Sequence, residues 1–456
     1  MARIDKWNSK YILKEISRRF EGKGYEIYAV GGFVRDYFLD KKASDIDMTT
    51  NARPPAVKSI LSEFGSTYNQ GEEYGTIGLN FEGKTIEVTT YRGEVYPSAS
   101  RKPKVVFGNE IFEDLYRRDF TVNSLAMNMI TGKVFDPFGG VEDIKNQVIR
   151  CVGGKTRFDE DPLRMMRAIR FAVQLNFRLE VSMDHPERLA IISSERIRDE
   201  FIKILTSKNP VRGIELLIDY GLMEYIMPEF LELQNVSQNN FHIKDAFGHT
   251  MMVLDKISRM HGNKLILRMS ALLHDIGKPG TKTIGSDGNV HFYSHQDLGS
   301  EMAIEILTRL RFDSDFIEKV SKLISLHMYP ILLDMSLNLR TVMRLVRKVG
   351  EDDIFLLLAL MKADLRSTRK PRYQFVIDLT KLIKEAIKEK PTGIDSPING
   401  DEIMERFHIP PGKLIGEIKQ ALIEQVIDGT LQRDDKISAF EMGMRYLQGR
   451  INNAPM

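Results

Sequence analysis

Strict alternation of apolar and polar residues is confined to the first third of the chain. Residues 25–30 form a short apolar run closed by Gly31-Gly32, and residues 45–50 form a second after a polar turn. Thr76–Phe81 and Lys84–Thr90 alternate on either side of Glu82-Gly83, the pattern of a hairpin. Beyond about Asp136 the alternation stops. Apolar positions then recur at helical spacing, as in residues 162–175, 194–205 and 214–220. The pattern predicts an α+β chain, a small mixed head followed by an elongated, all-helical body.

Composition narrows the class. A chain of 456 residues is long enough for about three domains at roughly 150 residues each. Lys and Arg total 65 against 63 Asp and Glu, a net charge of +2, which excludes a uniformly basic coat but not a local basic track. The single cysteine, Cys151, excludes a disulfide framework and a thiolate zinc site and fits a reducing compartment. The N-terminal residues lack an apolar signal core, and the apolar run at 354–361 is far short of the ~20 residues a membrane span needs. A cytoplasmic protein with no membrane partner is expected. The oligomeric state is left open.

Histidine usage divides the body. Seven of the nine histidines lie between His242 and His327, bracketed by boundaries near Pro228 and Pro391. Between residues 340 and 390 there are 13 Lys/Arg against seven Asp/Glu, including the run Arg366-Ser-Thr-Arg-Lys-Pro-Arg372. Such an excess can track a polyanion by charge, or be a solvated face.

The sharpest chemistry lies in the head. Asp45 and Asp47, two apart on a predicted strand, project to one face about 7 Å apart along it. Two carboxylates there repel unless a cation sits between them, which points to a divalent metal. Glu87, on an alternating strand, is a third candidate. Gly31 and Gly32 before a helical stretch let the backbone approach closely and offer N–H groups to phosphate. Together these residues suit metal-dependent nucleotidyl transfer.

In order, Val30-Gly-Gly-Phe-Val-Arg-Asp36, Ser44-Asp-Ile-Asp47 and Ile86-Glu-Val88 resemble the class II tRNA nucleotidyltransferase and bacterial poly(A) polymerase family of the polymerase β superfamily. Arg117-Arg-Asp-Phe-Thr-Val-Asn123, Asp136-Pro-Phe-Gly-Gly140, the stretch from Glu160 to Phe171 and Ser194-Glu-Arg-Ile-Arg-Asp-Glu200 are similar to its later motifs. The resemblance implies a polymerase-β-type head at residues 1–138 and a helical neck at 139–228. An HD domain at 229–390 and a tRNA-binding tail at 391–456 follow. It implies Mg²⁺ on Asp45 and Asp47 with Glu87 assisting. Gly32, Arg35, Arg118, Asp119 and Asn123 are implied to bind CTP or ATP, and the arginine stripe Arg164, Arg167 and Arg170 to face the nucleotide.

The implied base readers are Asp161 and Arg164, three apart at the start of a predicted helix. A carboxylate accepts from an exocyclic amino group and a guanidinium donates to a ring nitrogen, a pair that cytosine and adenine both satisfy. Guanine and uracil present a carbonyl to Asp161 instead, and a buried unpaired group costs ~1–3 kcal/mol. From the residues alone, Asp161 also reads as a helix cap and the arginines as a solvated stripe. The implied reaction is addition of C and A to the 3′ end of tRNA, with an A-only enzyme or a poly(A) polymerase as alternatives. The mobile-loop stretch Glu94-Val-Tyr-Pro-Ser-Ala-Ser-Arg-Lys-Pro103 departs from the family pattern, with serines where an acid is expected.

A second set, His249, His274-Asp275 and Asp364, resembles the HD metal-dependent phosphohydrolases, with His295 and His327 placed where extended members add ligands. Imidazole and carboxylate donors suit Mn, Ni, Fe or Zn more than Mg alone, with Mg kept among the candidates. Phosphohydrolysis at RNA ends is the implied activity, and an HD enzyme whose head only binds RNA is the reading from a different class. His242, His261 and His291 are bystanders. In the tail, residues 398–404 and 409–416 resemble the family's end segment, either a Pro-Gly phosphate contact or a simple packing unit.

Overall fold

The computed structural model describes residues 2–41, 46–69, 75–95, 104–154, 156–237, 244–260, 264–286, 288–329, 337–368, 373–389 and 393–452. Two compact units divide the chain, residues 1–226 and 227–456.

Unit 1 is built on a seven-stranded mixed sheet in the order β3-β4-β5-β2-β1-β8-β9. Its strands are β1 (Ile27–Val30), β2 (Ile46–Thr50), β3 (Ser66–Asn69), β4 (Thr76–Phe81), β5 (Lys84–Thr90), β8 (Ala126–Met127) and β9 (Val134–Phe135). β6 (Arg92–Val95) and β7 (Lys104–Phe107) pair separately. The hairpin around Glu82-Gly83 forms with both turn residues at positive φ. Ile46, Met48, Ile77, Leu79, Ile86 and Val88 are all buried on one face of the sheet. The helices Ala2–Gly22 and Pro54–Leu61 supply the core on that side, through Leu13, Ile16, Phe20, Val57 and Ile60. Alternation therefore turns the polar members of the same strands to the opposite face.

The rest of unit 1 is mainly helical. The predicted helices at 162–175 and 194–205 appear as Leu163–Leu175 and Ser194–Leu205. Residues 214–220 fall within and just beyond the helix Pro210–Asp219. The Asp136 carboxylate accepts from the N–H groups of Gly140 (2.7 Å) and Val141 (2.9 Å), capping the helix Gly140–Asn146. One refinement concerns the all-helical body. Val148–Ile149 (β10) pairs in parallel with Arg178–Leu179 (β11), and in unit 2 Lys282–Ile284 (β12) pairs with Val290–Phe292 (β13). These pieces are too short for sequence periodicity to register.

Unit 2 is a set of packed helices. Its tail has its own core of Ile398, Ile403, Phe407, Ile418, Leu422, Leu431, Ala439 and Leu447. Asn399 and Glu402 form a reciprocal capping box at the start of Gly400–Phe407. Residues 398–416 therefore do serve as a packing unit. Among the described residues no helix is long and apolar enough to cross a membrane.

Candidate functional site

In unit 1, β2 and β5 run parallel in register, with Ile46 opposite Ile86, Asp47 opposite Glu87 and Met48 opposite Val88. The flanking apolar residues are buried, so Asp47 and Glu87 share the other face as neighbours, their strands ~4.8 Å apart. Adjacent carboxylates of this kind suit a hard divalent cation such as Mg²⁺. Asp45 lies outside the described residues, as do residues 96–103 of the stretch with serines where an acid is expected.

On the other side of β2, Val30 of β1 is opposite Asp47, and Gly31 follows it with φ 67°. That left-handed conformation strains any residue with a Cβ. A Cβ at Gly31 would also lie 3.0 Å from Arg118 Nη1 and 3.6 Å from Asp47 Oδ2. Glycine here lets a guanidinium and a carboxylate converge on one turn, from which Gly32 opens the helix Gly32–Phe38. Arg118 is held from behind by Asp114, fully buried, which accepts from Arg118 Nη2 at 3.2 Å and from Arg117 Nε and Nη2 at 3.0 and 2.7 Å. Burial alone would raise the Asp114 pKa. The two guanidinium groups outweigh it and keep this carboxyl below its ordinary range. Sequence reading passed over Asp114, although its i+3 and i+4 spacing to two arginines was a usable signal.

A chain of polar contacts leads from this turn into the helical part of the unit. Arg35 Nη1 donates to Asn123 Oδ1 (2.7 Å), and Asn123 Nδ2 donates to Asp119 Oδ1 (3.3 Å). Asp119 Oδ2 accepts from Arg167 Nε (2.9 Å) and Nη2 (2.6 Å). Arg167 Nη1 and Arg170 Nε then lie 4.0 and 3.0 Å from the two oxygens of buried Glu200. Arg35, Arg167 and Arg170 also surround the Phe171 ring, with guanidinium carbons 5.5, 5.6 and 4.2 Å from its centroid. Five of the sequence-derived residues, Arg35, Asn123, Asp119, Arg167 and Arg170, thus form one assembly. Glu200 and Phe171 complete it. Glu200 falls with Ile197, Phe201 and Ile204 on the buried stripe of its helix, a position at which an acid signals a buried ion pair.

The expected base readers are placed differently. The helix begins at Leu163, so Asp161 stands before it rather than on it. Proline at 162 favours that boundary. Asp161 Oδ1 accepts from Leu163 N (3.2 Å) and Oδ2 from Arg196 Nη2 (2.8 Å). Buried Arg164 donates to Glu160 Oε2 (2.8 Å) and to the carbonyl oxygens of Arg157 (3.2 Å) and Arg117 (3.1 Å). The two side chains therefore have separate partners here, and Arg196 and Glu160 are the residues the sequence reading did not foresee.

Unit 2 holds the second cluster. His249, His274, Asp275, His295, His327 and Asp364 are all buried. Their donor atoms fall into two groups, His249 with His274 and Asp364, and Asp275 with His295 and His327, the atoms in each lying within 4.8 Å of one another. Asp275 touches both. Its Oδ2 is 3.2 Å from His274 Nε2 and 3.7 Å from His249 Nε2, and its Oδ1 is 3.5 Å from His295 Nε2.

The imidazoles are set for ligation. The Nδ1 atoms of His274, His295 and His327 each face the carbonyl three residues earlier, at 2.9, 2.8 and 2.6 Å. That contact fixes the proton on Nδ1 and leaves Nε2 as the lone-pair donor. The buried Nε2 atoms of His274 and His295 find no hydrogen-bond partner among the described residues. Burial holds His295 below the ordinary imidazole range and takes His327 to about 3, reinforced by His274 and His295 beside it. His274 is the exception. Burial lowers its pKa, but adjacent Asp275 more than compensates, so a positive charge is favoured at that Nε2. Six buried N and O donors, two of them orphaned, fit divalent transition-metal ions, with Asp275 placed to serve both groups. Lys278, unforeseen, donates Nζ to Asp275 Oδ2 at 2.7 Å. Of the bystanders, His242 and His261 lie outside the described residues, and His291 stacks on Tyr293.

Comparison with known proteins finds matches over the segments that carry both clusters. Residues 27–150 match the poly A polymerase head domain, 182–233 the probable RNA and SrmB-binding site of polymerase A, and 246–365 the HD domain. Over 238 residues the chain is 41 % identical to the CCA-adding enzyme of Lactobacillus helveticus, covering 50 % of this chain and 58 % of that one. It therefore spans little more than half the length of that relative. The Bacillus stearothermophilus CCA-adding enzyme in complex with CTP shares the fold at a TM-score of 0.69 and 24 % identity, over 97 % of this chain and 98 % of that one. The Thermotoga maritima CCA-adding enzyme complexed with tRNA matches at 0.53 and 20 %, over 96 % and 95 %. The A-adding tRNA nucleotidyltransferase of Deinococcus radiodurans is 31 % identical over 431 residues, 90 % of this chain and 94 % of that protein. On that near-complete match, the chain belongs to the tRNA nucleotidyltransferase family.

Proposed function

We propose that this chain adds C and A to the 3′ end of tRNA, using CTP and ATP, in the cytoplasm. The observation that carries the reading is the register pair Asp47–Glu87 beside the Gly31 turn that admits Arg118. Mg²⁺ held by Asp45, Asp47 and Glu87 would neutralise charge on the attacking hydroxyl and the leaving pyrophosphate. The chain's own groups do the positioning. Gly32, Arg35 and Arg118 hold the triphosphate, and Asp119 and Asn123 keep Arg35 and Arg167 in place beside it. Asp161 and Arg164 exchange Arg196 and Glu160 for the pairing edge of C or A. In this division residues 1–138 catalyse, 139–228 choose the base, 229–390 carry the HD centre and 391–456 contact tRNA.

The near full-length likeness to an A-adding enzyme favours a second reading, addition of A alone. Purified protein is given tRNAs ending in the discriminator base, in C or in CC, with labelled CTP or ATP. Extension of all three means CCA addition, and extension of the CC-ended tRNA alone means A addition. Long tails mean poly(A) synthesis. No extension of any tRNA refutes the nucleotidyl-transfer reading and leaves an HD enzyme with an RNA-binding head.

The HD cluster carries a separate activity in this proposal, hydrolysis of phosphoesters such as 2′,3′-cyclic phosphates at RNA ends. Mn, Ni, Fe or Zn bound there would supply Lewis acidity for water attack. Lys278, close against Asp275, adds positive charge where phosphate would sit. Equal hydrolysis by wild type and a His274→Ala/Asp275→Ala variant, with no metal in the wild type, refutes it.

A further inference from the structure

The cross-strand registers define a single row over the catalytic face. From Val30 it passes through Asp47, Glu87 and Gly78 to Tyr68 on β3. Residues directly opposite in a sheet share a face, so Tyr68 lies on the side that carries the carboxylates. Gly78 makes room for it. A Cβ at 78 would lie 2.1 Å from Tyr68 Cζ and 2.5 and 2.6 Å from its Cε atoms, so the tip of the ring occupies the space of the missing side chain. The tip of the ring thus reaches from β3 over Gly78 of β4, the residue opposite Glu87. Tyr68 remains partly exposed.

The order of groups along the row assigns a direction to the reaction. Arg118 and the Gly31-Gly32 turn, which would hold the triphosphate, stand on the Val30 side of Asp47. In phosphoryl transfer the attacking and leaving oxygens are roughly in line. With pyrophosphate leaving on the Val30 side, the RNA hydroxyl must enter from the Glu87 side, where Tyr68 is the next side chain. The geometry points to Tyr68 as the stacking platform for the terminal base of the RNA acceptor, a subsite for the growing 3′ end and not for the incoming nucleotide. Aromatic stacking suits this task because every base presents a π-face, and a terminus that changes identity at each addition needs a sequence-tolerant support.

The inference rests on the nucleotidyl-transfer reading, which labelled incorporation into intact tRNA tests first. Absence of incorporation by the wild type removes both. With incorporation established, acceptors ending in a normal or an abasic 3′ nucleotide are compared in wild type, Tyr68→Leu and Tyr68→Phe. In wild type and Tyr68→Phe the abasic end should raise the acceptor KM roughly tenfold. In Tyr68→Leu both acceptors should show the same, already raised KM, because base and ring lose one shared contact. The KM for CTP or ATP should stay within about twofold in every case, which a general distortion of the site would not allow. Should Tyr68→Leu fail to fold, Tyr68→Thr, a good strand residue too short to reach Gly78, replaces it. An abasic penalty that persists without the ring, or a rise confined to the CTP or ATP KM, overturns the assignment.

Discussion

Replacing Asp119 with alanine tests whether the polar chain across unit 1 is structural as well as functional. The carboxylate accepts from two nitrogens of Arg167, from Phe120 N at 2.9 Å and from Asn123 Nδ2. Removing one partner of a buried ion pair costs about 3–5 kcal/mol. Arg167 is still 34 % exposed, so water can resolvate part of its charge, and a loss of about 2–3 kcal/mol is expected. Asp119→Asn keeps an acceptor for Phe120 N and should lose about 1–2 kcal/mol. Both losses are read from urea unfolding followed by far-ultraviolet circular dichroism. The pH dependence has a definite sign. Burial works to raise the Asp119 pKa, but Arg167, Asn123 and the Phe120 N–H outweigh it and keep it depressed in the folded chain. Its contribution is therefore fully present above the unfolded value of about 3.9 and fades as pH falls through the folded one. The gap between wild type and Asp119→Ala should be flat from about pH 8 to 5 and narrow only below about pH 4. A coupling energy between Asp119→Ala and Arg167→Ala below about 0.5 kcal/mol would refute the argument.

Three further outcomes are expected. Asp114→Ala should raise the KM for CTP and ATP about tenfold or more, since Arg118 loses a charge-assisted hydrogen bond of ~1.5–3 kcal/mol, while the acceptor KM in the same steady-state assay stays put. Gly31→Ala combines a left-handed strain of about 1–2 kcal/mol with a clash against Arg118, so kcat/KM for the nucleotide should fall well beyond what a shift in unit 1 melting explains. His274→Ala should abolish metal uptake, measured by elemental analysis, and leave nucleotidyl transfer intact. Uptake by the wild type should weaken as pH falls through the raised pKa of His274, which lies above the ordinary imidazole value of about 6.5, because a protonated Nε2 cannot ligate.

What the sequence revealed follows the range of the interactions involved. Alternation over a few residues was enough to put Asp47 and Glu87 on polar faces of their strands, because the apolar neighbours Ile46, Met48, Ile86 and Val88 demand burial. Their adjacency depends on β2 and β5 pairing in parallel, and nothing local encodes that partnership. The six HD residues were legible through their resemblance to the HD phosphohydrolases, carried by the adjacent His274-Asp275 pair. Lys278 was not, since a lysine after glycine reads as solvated until its contact with Asp275 is seen. Pro162 made Asp161 legible as a helix cap as well as a base reader, and the contact of its Oδ1 with Leu163 N is of the capping kind. Arg196, supplied by a helix some thirty residues further on, was out of reach.

The central position of β1 has a consequence for synthesis on the ribosome. One edge of Ile27–Val30 is satisfied early by β2, while the other waits for Ala126–Met127. At translation rates of about 5–20 residues per second, that edge stays open for roughly 5 to 20 s. An apolar strand with unpaired N–H and C=O groups is a template for aggregation. Chains released before Ala126 should be insoluble, and the protein's yield in a cell should depend on whatever shields those four residues until the sheet closes.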